Sequence, residues 1–506
     1  MSVAPSTPNA TAAATPTPAT DPSALASPRG LARPQPLQVP EPQAMARALA
    51  AAGSTGPVQR IECALADFTS VARGKIVSVD DFSAAGGCRL PSVLLGLTLT
   101  AGEPEAVFGP LLPESFLDMD LVPDLDTLVP MPGRPGAFSV ICEPRGPLPA
   151  PALGRVVDAC EYSPRAALRG VLAWMASAGL RASVAPELEL FLIDRREVAG
   201  QVELGAPSAQ PGAPARERAC ESYSLERTSH FAEYFDALFA ACELQRIPVS
   251  GHAHEAAWSQ YEVNFRPGEP LAQADAVFRF KRLARETAAR FGFLCSFAPK
   301  PFFDQPGTGM HWHFSLHHRD GALPGEPAGH TNAFAGPDGL ARPALAGFLG
   351  GLQAHADAAM AFFVPHDMGY DRIRLSNASP DSASWGHDDR AVAFRLPQAS
   401  AQNRRIENRL PGGDASPYLT VAATLGLGLA GLLQGLQPAG VAAGVALPRS
   451  LGEAAEALAG SALMRELLGA PLVELYAAMK QHETAERNAL ADPRQQWDLV
   501  HLIELA

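Results

Sequence analysis

The 506-residue sequence has no Cys-x-x-Cys pair; its seven cysteines, Cys63, Cys88, Cys142, Cys160, Cys220, Cys242 and Cys295, are scattered. That spacing excludes a zinc ribbon and suggests no disulfide framework, so a reduced, cytoplasmic setting is expected. Positive charge is also scarce, with 40 Lys and Arg against 53 Asp and Glu and a net charge of -13. Such a chain is a poor partner for nucleic acid or for an anionic membrane surface. No GxxxxGK[ST] occurs, and the Gly307-Thr308-Gly309 turn lacks the remaining glycine of a dinucleotide fingerprint. Neither a P-loop nor a Rossmann nucleotide site is therefore supported.

Charge is missing altogether from Ala415 to Pro448, and Tyr418 to Leu436 is about long enough to span a bilayer. Gln434 interrupts that run, no Lys/Arg cluster or Trp flanks it, and Gly426, Gly428, Gly431 and Gly435 suit close helix packing. A buried core helix is expected, and no membrane span. Residues 1–43 have almost no charge or aromatic residue, too little apolar surface to offset the entropy of ordering. They are expected to be a disordered Pro/Ala/Thr-rich tail; no apolar h-region suggests export.

What is present reads as a mixed α+β chain. Short strand-like runs around the Ala72–Lys75 turn, and again to about Pro144, predict a small, mostly β domain over 44–148. From 149 to 506 strands alternate with long helices, as expected of one large domain around an extended sheet. Helix signals bracket Ser163–Leu180 and Pro270–Gly292, and a further helix is predicted over Pro343–Phe363.

Chemistry concentrates at period-two spacing. In "APELEL", Glu187 and Glu189 share a strand face, where two carboxylates raise each other's pKa unless a cation lies between them. His311 and His313 in "GMHWHFSL" repeat the pattern. "HAHEAAWSQYEVNF" adds His252, His254, Glu255 and Glu262. It is not the HExxH of zinc proteases, and the excess of carboxylate over imidazole favours Mg²⁺ or Mn²⁺ over Zn²⁺. Seven arginines, Arg372, Arg374, Arg390, Arg395, Arg404, Arg405 and Arg409, fall within 38 residues of this acidic chain, most beside apolar neighbours. They read as a clamp for phosphate or carboxylate, and together with carboxylate-held divalent ions they point to phosphoryl transfer from a nucleotide.

The motifs "APELELFL", "GTGMHWHFSL", "DRAVAFRLP" and "RRIENRLPGGDASPYL", in this order and spacing, resemble the glutamine synthetase family from about Val58 to the C-terminus. The resemblance implies a β-grasp-like N-terminal domain and a catalytic domain built on a curved antiparallel sheet with flanking helices. It also implies a ringed, dodecamer-like homo-oligomer with active sites between subunits. By position, Glu189, Glu255 and Glu262 match the ligands of one metal ion, and Glu187, His311 and Glu407 those of a second, Mg²⁺ or Mn²⁺. Arg390, Arg395 and Arg405 match residues on the phosphates of ATP, His313 and Ser315 residues lining the nucleotide pocket, and Gly307, Arg372 and Arg409 residues that hold the acid substrate. Arg390 and Arg372 are thereby the expected catalytic arginines. The family phosphorylates the γ-carboxylate of glutamate with ATP and lets a nitrogen nucleophile displace the phosphate.

Departures fall on the second half of that reaction. Where ammonia-using members carry an acidic flap, the aligned residues are Ser376-Asn377-Ala378-Ser379-Pro380, and "CRLPSV" (Cys88 to Val93) replaces a stretch that supplies an Asp to ammonium. An ammonium ion would find no paired charge there. The chain looks like the γ-glutamylpolyamine and γ-glutamylputrescine synthetase branch, with an organic amine as nucleophile; Asp381, Asp388, Asp389, Trp258, Trp312 and Trp385 are candidates to meet it. Pro306 stands where the family has an Asn that grips glutamate, which leaves the acid open. Ordinary glutamine synthetase and a non-catalytic structural oligomer are the alternative expectations.

Overall fold

The computed structural model describes residues 34, 36–69, 71–208, 217–321, 327, 329–375 and 379–506. Most of the expected tail, residues 1–33 and 35, lies outside the described residues. A helix, Pro42–Ala52, begins inside the last two tail positions, with proline in its first turn where no amide donor is needed.

Two main sheets carry the fold. The first contains β1 (Arg60–Ala66), β2 (Ala72–Ser78), β3 (Cys88–Pro91), β4 (Asp118–Pro123), β5 (Val129–Pro130) and β6 (Ala137–Arg145), ordered β2-β1-β6-β4-β3 with β5 beside β6. Its β1–β6 pairing is parallel and the others antiparallel. A small hairpin, β7 (Pro147–Ala150) with β8 (Arg155–Asp158), follows.

The second sheet has nine strands: β9 (Leu180–Val198), β10 (Gln201–Gly205), β11 (Val249–His254), β12 (Gln260–Phe265), β13 (Leu294–Ser296), β14 (Met310–His318), β15 (Trp385–His387), β16 (Phe394–Leu396) and β17 (Ile406–Asn408). The order β11-β12-β9-β14-β17-β16-β15 places the long β9 and β14 side by side at the centre. The sheet was expected to be antiparallel; one pair departs, since β15 and β16 run parallel. The chain between them crosses back instead of turning as a hairpin.

Helices cover the sheets where the sequence placed them, at Pro164–Ser177, Pro270–Arg290 and Pro343–Phe363. The uncharged run forms Pro417–Gln434, with 83% of its residues buried inside the fold. Its glycines explain why it packs so closely: a Cβ on Gly431 would lie 2.3 Å from the Cα of Gly351 in Pro343–Phe363, and one on Gly428 2.3 Å from the Phe348 ring. Gly435 differs, ending the helix at φ 67° instead of packing a neighbour.

One apolar core runs continuously from the first sheet through the helices, from Met45 to Met479. Across it, Arg165 binds Glu143 at 2.9 Å, Asp275 at 2.9 Å and Asp124 at 2.7 Å, tying the first sheet to helix Pro270–Arg290. A buried guanidinium with three carboxylates is well satisfied, and losing one partner would leave a buried charge unpaired. All seven cysteines are free.

Candidate active site

Register alone assembles the site. Glu262 on β12 pairs with Glu189 on β9, Glu187 with His311 on β14, His313 with Glu407 on β17, and Glu407 with Arg395 on β16. Cross-strand partners share a face and alternate residues return to it, so these side chains form one row across the nine-stranded sheet. Of the five strands involved only β16 and β17 are near neighbours in sequence, the others being separated by dozens of residues, which is why no local pattern displays the row.

The row brings together ligand atoms of Glu187, His311 and Glu407 within 4.8 Å of one another, and likewise those of Glu189, Glu262 and His311. The first set is the expected second-metal trio. The other expected trio differs: His311 takes the place of Glu255, whose carboxylate accepts the Ala256 amide at 3.1 Å. Glu255 nevertheless lies close enough that its charge acts on Glu189 and Glu262.

Electrostatics divide the row. Burial, followed by the charges of Glu255 and Glu262, pushes Glu189 well above the usual carboxylate range. Burial and Glu187 push Glu262 up to about 7. Burial also raises Glu255. On the other side, burial acts upward on Glu407 too, but His311, His313, Arg409 and Arg395 outweigh it and hold it at about 2. Its carboxylate accepts from Arg409 Nη1 at 2.6 Å and from Arg395 Nη1 at 2.7 Å. Burial and the Arg409 charge push His311 down to about 3, leaving a neutral imidazole suited to a metal ion. Crowded carboxylates with raised pKa values, next to a neutral imidazole, are a donor set that fits a hard divalent cation.

The remaining expected residues cluster around this row. Arg405 Nε donates to His313 Nδ1 at 3.1 Å, so the imidazole proton sits on Nε2, 3.0 Å from Glu187 Oε1. Ser315 continues the β14 face, its hydroxyl 3.0 Å from His317 Nε2. Arg390 is exposed, and its carbonyl accepts from Arg409 Nε at 3.1 Å. Arg372 is buried, donates to the Leu410 carbonyl, and has no partner for Nε among the described residues. Gly307 lies against it: a Cβ there would be 2.7 Å from Arg372 Cγ and 2.2 Å from the Pro299 carbonyl oxygen, so only glycine fits. Gly309 donates its amide to Glu189 Oε2 at 2.9 Å, a structural use for the Gly-Thr-Gly turn.

Other expectations fall away. His254 is fully buried between Glu217 Oε1 at 2.6 Å and the Glu221 carbonyl at 2.7 Å, and His252 stacks on Phe235 at 4.2 Å, so the His-x-His pair holds no metal. Trp312 is core, Trp385 donates to the Ala439 carbonyl at 2.7 Å, and Trp258 packs on Phe302. Asp388 pairs with Arg395 at 3.0 Å and Asp389 accepts the Ala391 amide at 2.8 Å. The flap residues Ser376, Asn377 and Ala378 lie outside the described residues.

Sequence reading missed three residues. Gln260 donates to Glu189 Oε2 at 3.2 Å and Asn264 to Glu262 Oε1 at 2.9 Å; both alternate with Glu262 on β12, so period two would have found them. Tyr223 is exposed where the charges of Glu255, Glu262 and Arg390 reach it, and no local signal marks it.

A sheet face of this kind belongs to a metal-dependent enzyme that handles anionic substrates. The family description "Glutamine synthetase, catalytic domain" matches residues 161–498. The chain belongs to the glutamine synthetase family, and it is an ATP-dependent carbon–nitrogen ligase. It is similar to gamma-glutamylputrescine synthetase PuuA of Escherichia coli, 29% identical over 75% of this chain and 76% of that one. It is also similar to a glutamate–isopropylamine ligase of a Pseudomonas species, 26% identical over 88% of this chain and 95% of that one. Among solved structures, apo GmaS without ligand matches with a TM-score of 0.70 and 25% identity, covering 90% of this chain and 98% of that one. The resemblance to the γ-glutamylputrescine synthetase branch therefore holds.

Proposed function

We propose that this ligase phosphorylates the γ-carboxylate of glutamate with ATP and joins it to an organic amine, giving a γ-glutamylamide, ADP and phosphate. The amine is putrescine, another polyamine or a small monoamine. The observation that carries the reading is the row of two ligand sets sharing His311, with arginines along one side.

In this reading Glu189, Glu262 and Glu255 hold one Mg²⁺ or Mn²⁺ and Glu187, His311 and Glu407 a second. The bound cations would supply charge neutralisation, letting a carboxylate approach the anionic nucleotide. Arg390, Arg395 and Arg405 take the phosphates, and His313 and Ser315 line the nucleotide pocket. Arg372 and Arg409 take the carboxylates of the acid, with Gly307 leaving room beside Arg372. Fixed cations aimed at the transferring phosphoryl group act where charge develops, which is the main contribution a protein makes to this step. Phosphate is then a far better leaving group than oxide, so a neutral amine completes the amide.

The reading extends to the whole molecule. The mixed sheet of β1 to β6 is consistent with a β-grasp-like unit in 44–148, followed by a catalytic domain in 149–506 and preceded by the 1–43 tail. The enzyme works as a ringed homo-oligomer in the cytosol, where seven free cysteines are unremarkable. Names of similar proteins, γ-glutamylputrescine synthetase and glutamate–isopropylamine ligase, support an organic amine. A panel of amines and ammonium with ATP, glutamate and Mg²⁺, followed by phosphate release, tests it. Turnover with putrescine or a monoamine is expected; turnover with low-millimolar ammonium alone would overturn the amine assignment.

A further inference from the structure

Outside the metal-binding row, four buried ionisable side chains form one continuous chain. Lys480 and Glu483, on the helix Ala470–Asn488, are 0% and 1% exposed and pair at 2.7 Å. Lys480 Nζ lies 3.5 Å from His366 Nε2, and His366 Nδ1 lies 2.7 Å from Asp414 Oδ2. An ammonium only donates, so His366 Nε2 accepts and the imidazole proton sits on Nδ1, donated to Asp414. At the other end Glu483 Oε1 accepts the Leu99 amide at 2.7 Å. Leu99 belongs to the turn Thr98–Gly102 between β3 and β4, closed by the Thr98 amide on the Gly102 carbonyl at 3.1 Å. The chain of contacts thus runs from a turn of the first sheet to Asp414, five residues beyond Arg409.

The middle of this chain grips the helix that carries Arg372. His366 is the N-cap of Asp367–Arg374, a helix of only eight residues with Arg372 in its last turn. A helix that short does not hold itself, so contacts from outside must fix it. Six residues separate His366 from Arg372, about 9 Å along the helix axis. Three bonds lace residues 410–414 onto the same segment: Arg372 donates to the Leu410 carbonyl, the Gly412 amide donates to the Phe363 carbonyl at 2.9 Å, and His366 donates to Asp414. Among the described residues no carboxylate is bonded to Arg372, so the backbone under it sets its direction. The Leu99 side chain, 2% exposed, lies in the same apolar cluster as Met368 of that helix. The turn therefore reaches the Arg372 helix twice, through the polar chain and through the apolar cluster.

We propose, resting on the role given to Arg372 above, that His366, Lys480 and Glu483 are positioning residues for the acid substrate. They touch no substrate; they hold the helix Asp367–Arg374 so that Arg372 faces the carboxylate it binds. A buried Lys–Glu pair adds little stability over an apolar pair, because desolvating two charges offsets their attraction, and its use here is to fix geometry. Without it the helix shifts, and a misplacement of about 1 Å in a binding group can cost up to roughly 100-fold. The nucleotide side is anchored elsewhere, with Arg405 bonded to His313 on β14, and is left in place.

Phosphate release by the full-length protein with ATP, Mg²⁺, glutamate and hydroxylamine tests this. Hydroxylamine is a small neutral nucleophile toward an activated carboxylate, so the assay does not depend on the natural amine. Lys480→Met combined with Glu483→Gln removes both charges and leaves an amide oxygen for Leu99. This variant is expected to raise the KM for glutamate roughly tenfold or more, with the KM for ATP within about twofold and kcat changed less. His366→Ala should behave alike, and His366→Asn, which can still donate to Asp414, should recover most of the loss. In an Arg372→Gln background the double substitution should add nothing. Hydrogen exchange should show protection lost over 367–374 and kept in Pro343–Phe363. An unchanged KM for glutamate, an equal rise in the KM for ATP, additivity with Arg372→Gln, or protection lost throughout would overturn the proposal. If the parent does not turn over glutamate, or Arg372→Gln leaves its KM unchanged, the catalytic reading fails instead. Hydrogen exchange over 367–374 then decides alone: unchanged protection overturns the positioning role, and a local loss supports it.

Discussion

The two halves of the active-site row are built from the same residue types and are in opposite electrostatic states. Around Glu189 and Glu262 the carboxylates have amide and side-chain donors but, among the described residues, no arginine bonded to them, and burial with mutual repulsion drives their pKa values up, to about 7 for Glu262. Around Glu407 two arginines are already bonded, and the carboxylate sits at about 2. Arg372 acts on Glu189 only as a weaker counter-charge, so the first half is left with carboxylates that a bound cation would relieve. The second has its charge balanced by the protein, and a metal ion held there, as proposed, would share Glu407 with Arg395 and Arg409. The lesson is that equal numbers of acids do not make equal metal sites; the arginines decide which half is incomplete without a cation.

Linkage gives the halves opposite pH signatures. Glu407, lowered from 4.5 to about 2, stabilises the fold above pH 4.5, and that contribution is lost as pH falls toward 2. Glu262, raised from 4.5 to about 7, keeps a proton in the folded state that the unfolded chain has released. Between those values the metal-free fold therefore loses stability as pH rises, until a cation replaces the proton.

The largest effect is expected from the balanced half. Glu407→Gln strands Arg395 and Arg409 in a buried site, costing roughly 3 kcal/mol or more of stability, and should lower turnover by more than about 100-fold. Denaturant unfolding and phosphate release check both. In the incomplete half, Glu189→Gln should abolish turnover as well, yet raise the stability of the metal-free protein at pH 8, because it removes a carboxylate that burial and the neighbouring charges of Glu255 and Glu262 disfavour. If both variants shifted stability in the same direction, the distinction between the halves would be broken. Mg²⁺ affinity, followed by titration calorimetry, should fall as pH drops from 8 to 6, by roughly tenfold per unit for each proton displaced. The smallest change sharpens the arginine side: Arg405→Gln should raise the KM for ATP by about tenfold, the worth of one charge-assisted bond, with little change in the KM for the acid.

Much of this was legible in the sequence where periodicity is long. The alternation of Glu187 and Glu189 predicted the face of β9, and the expected helix Pro343–Phe363 has the observed bounds. The glycines at 428 and 431 indicated the tight helix contact for the right physical reason, whereas Gly435 looked like one of them and is a cap. Other features were hidden because they depend on pairing. Alternation puts Arg405, Glu407 and Arg409 on one face, and Arg409 does bind Glu407, but the cross-strand partners, His313 for Arg405 and Arg395 for Glu407, follow from the sheet and not from the local pattern. Glu255 turns onto the Ala256 amide, and Tyr223 comes from a distant loop; neither orientation has a sequence signal.

The most direct test of the account is thermal unfolding of the parent, Glu189→Gln and Glu407→Gln proteins at pH 8, each with and without saturating Mg²⁺. Ligand linkage predicts a higher melting temperature for the parent with Mg²⁺. Without metal, Glu189→Gln should melt above the parent and gain little from Mg²⁺, while Glu407→Gln melts below it. A parent protein indifferent to Mg²⁺, or a Glu189→Gln protein less stable than the metal-free parent, would contradict the claim that the acidic half of the row is a site completed by a divalent cation.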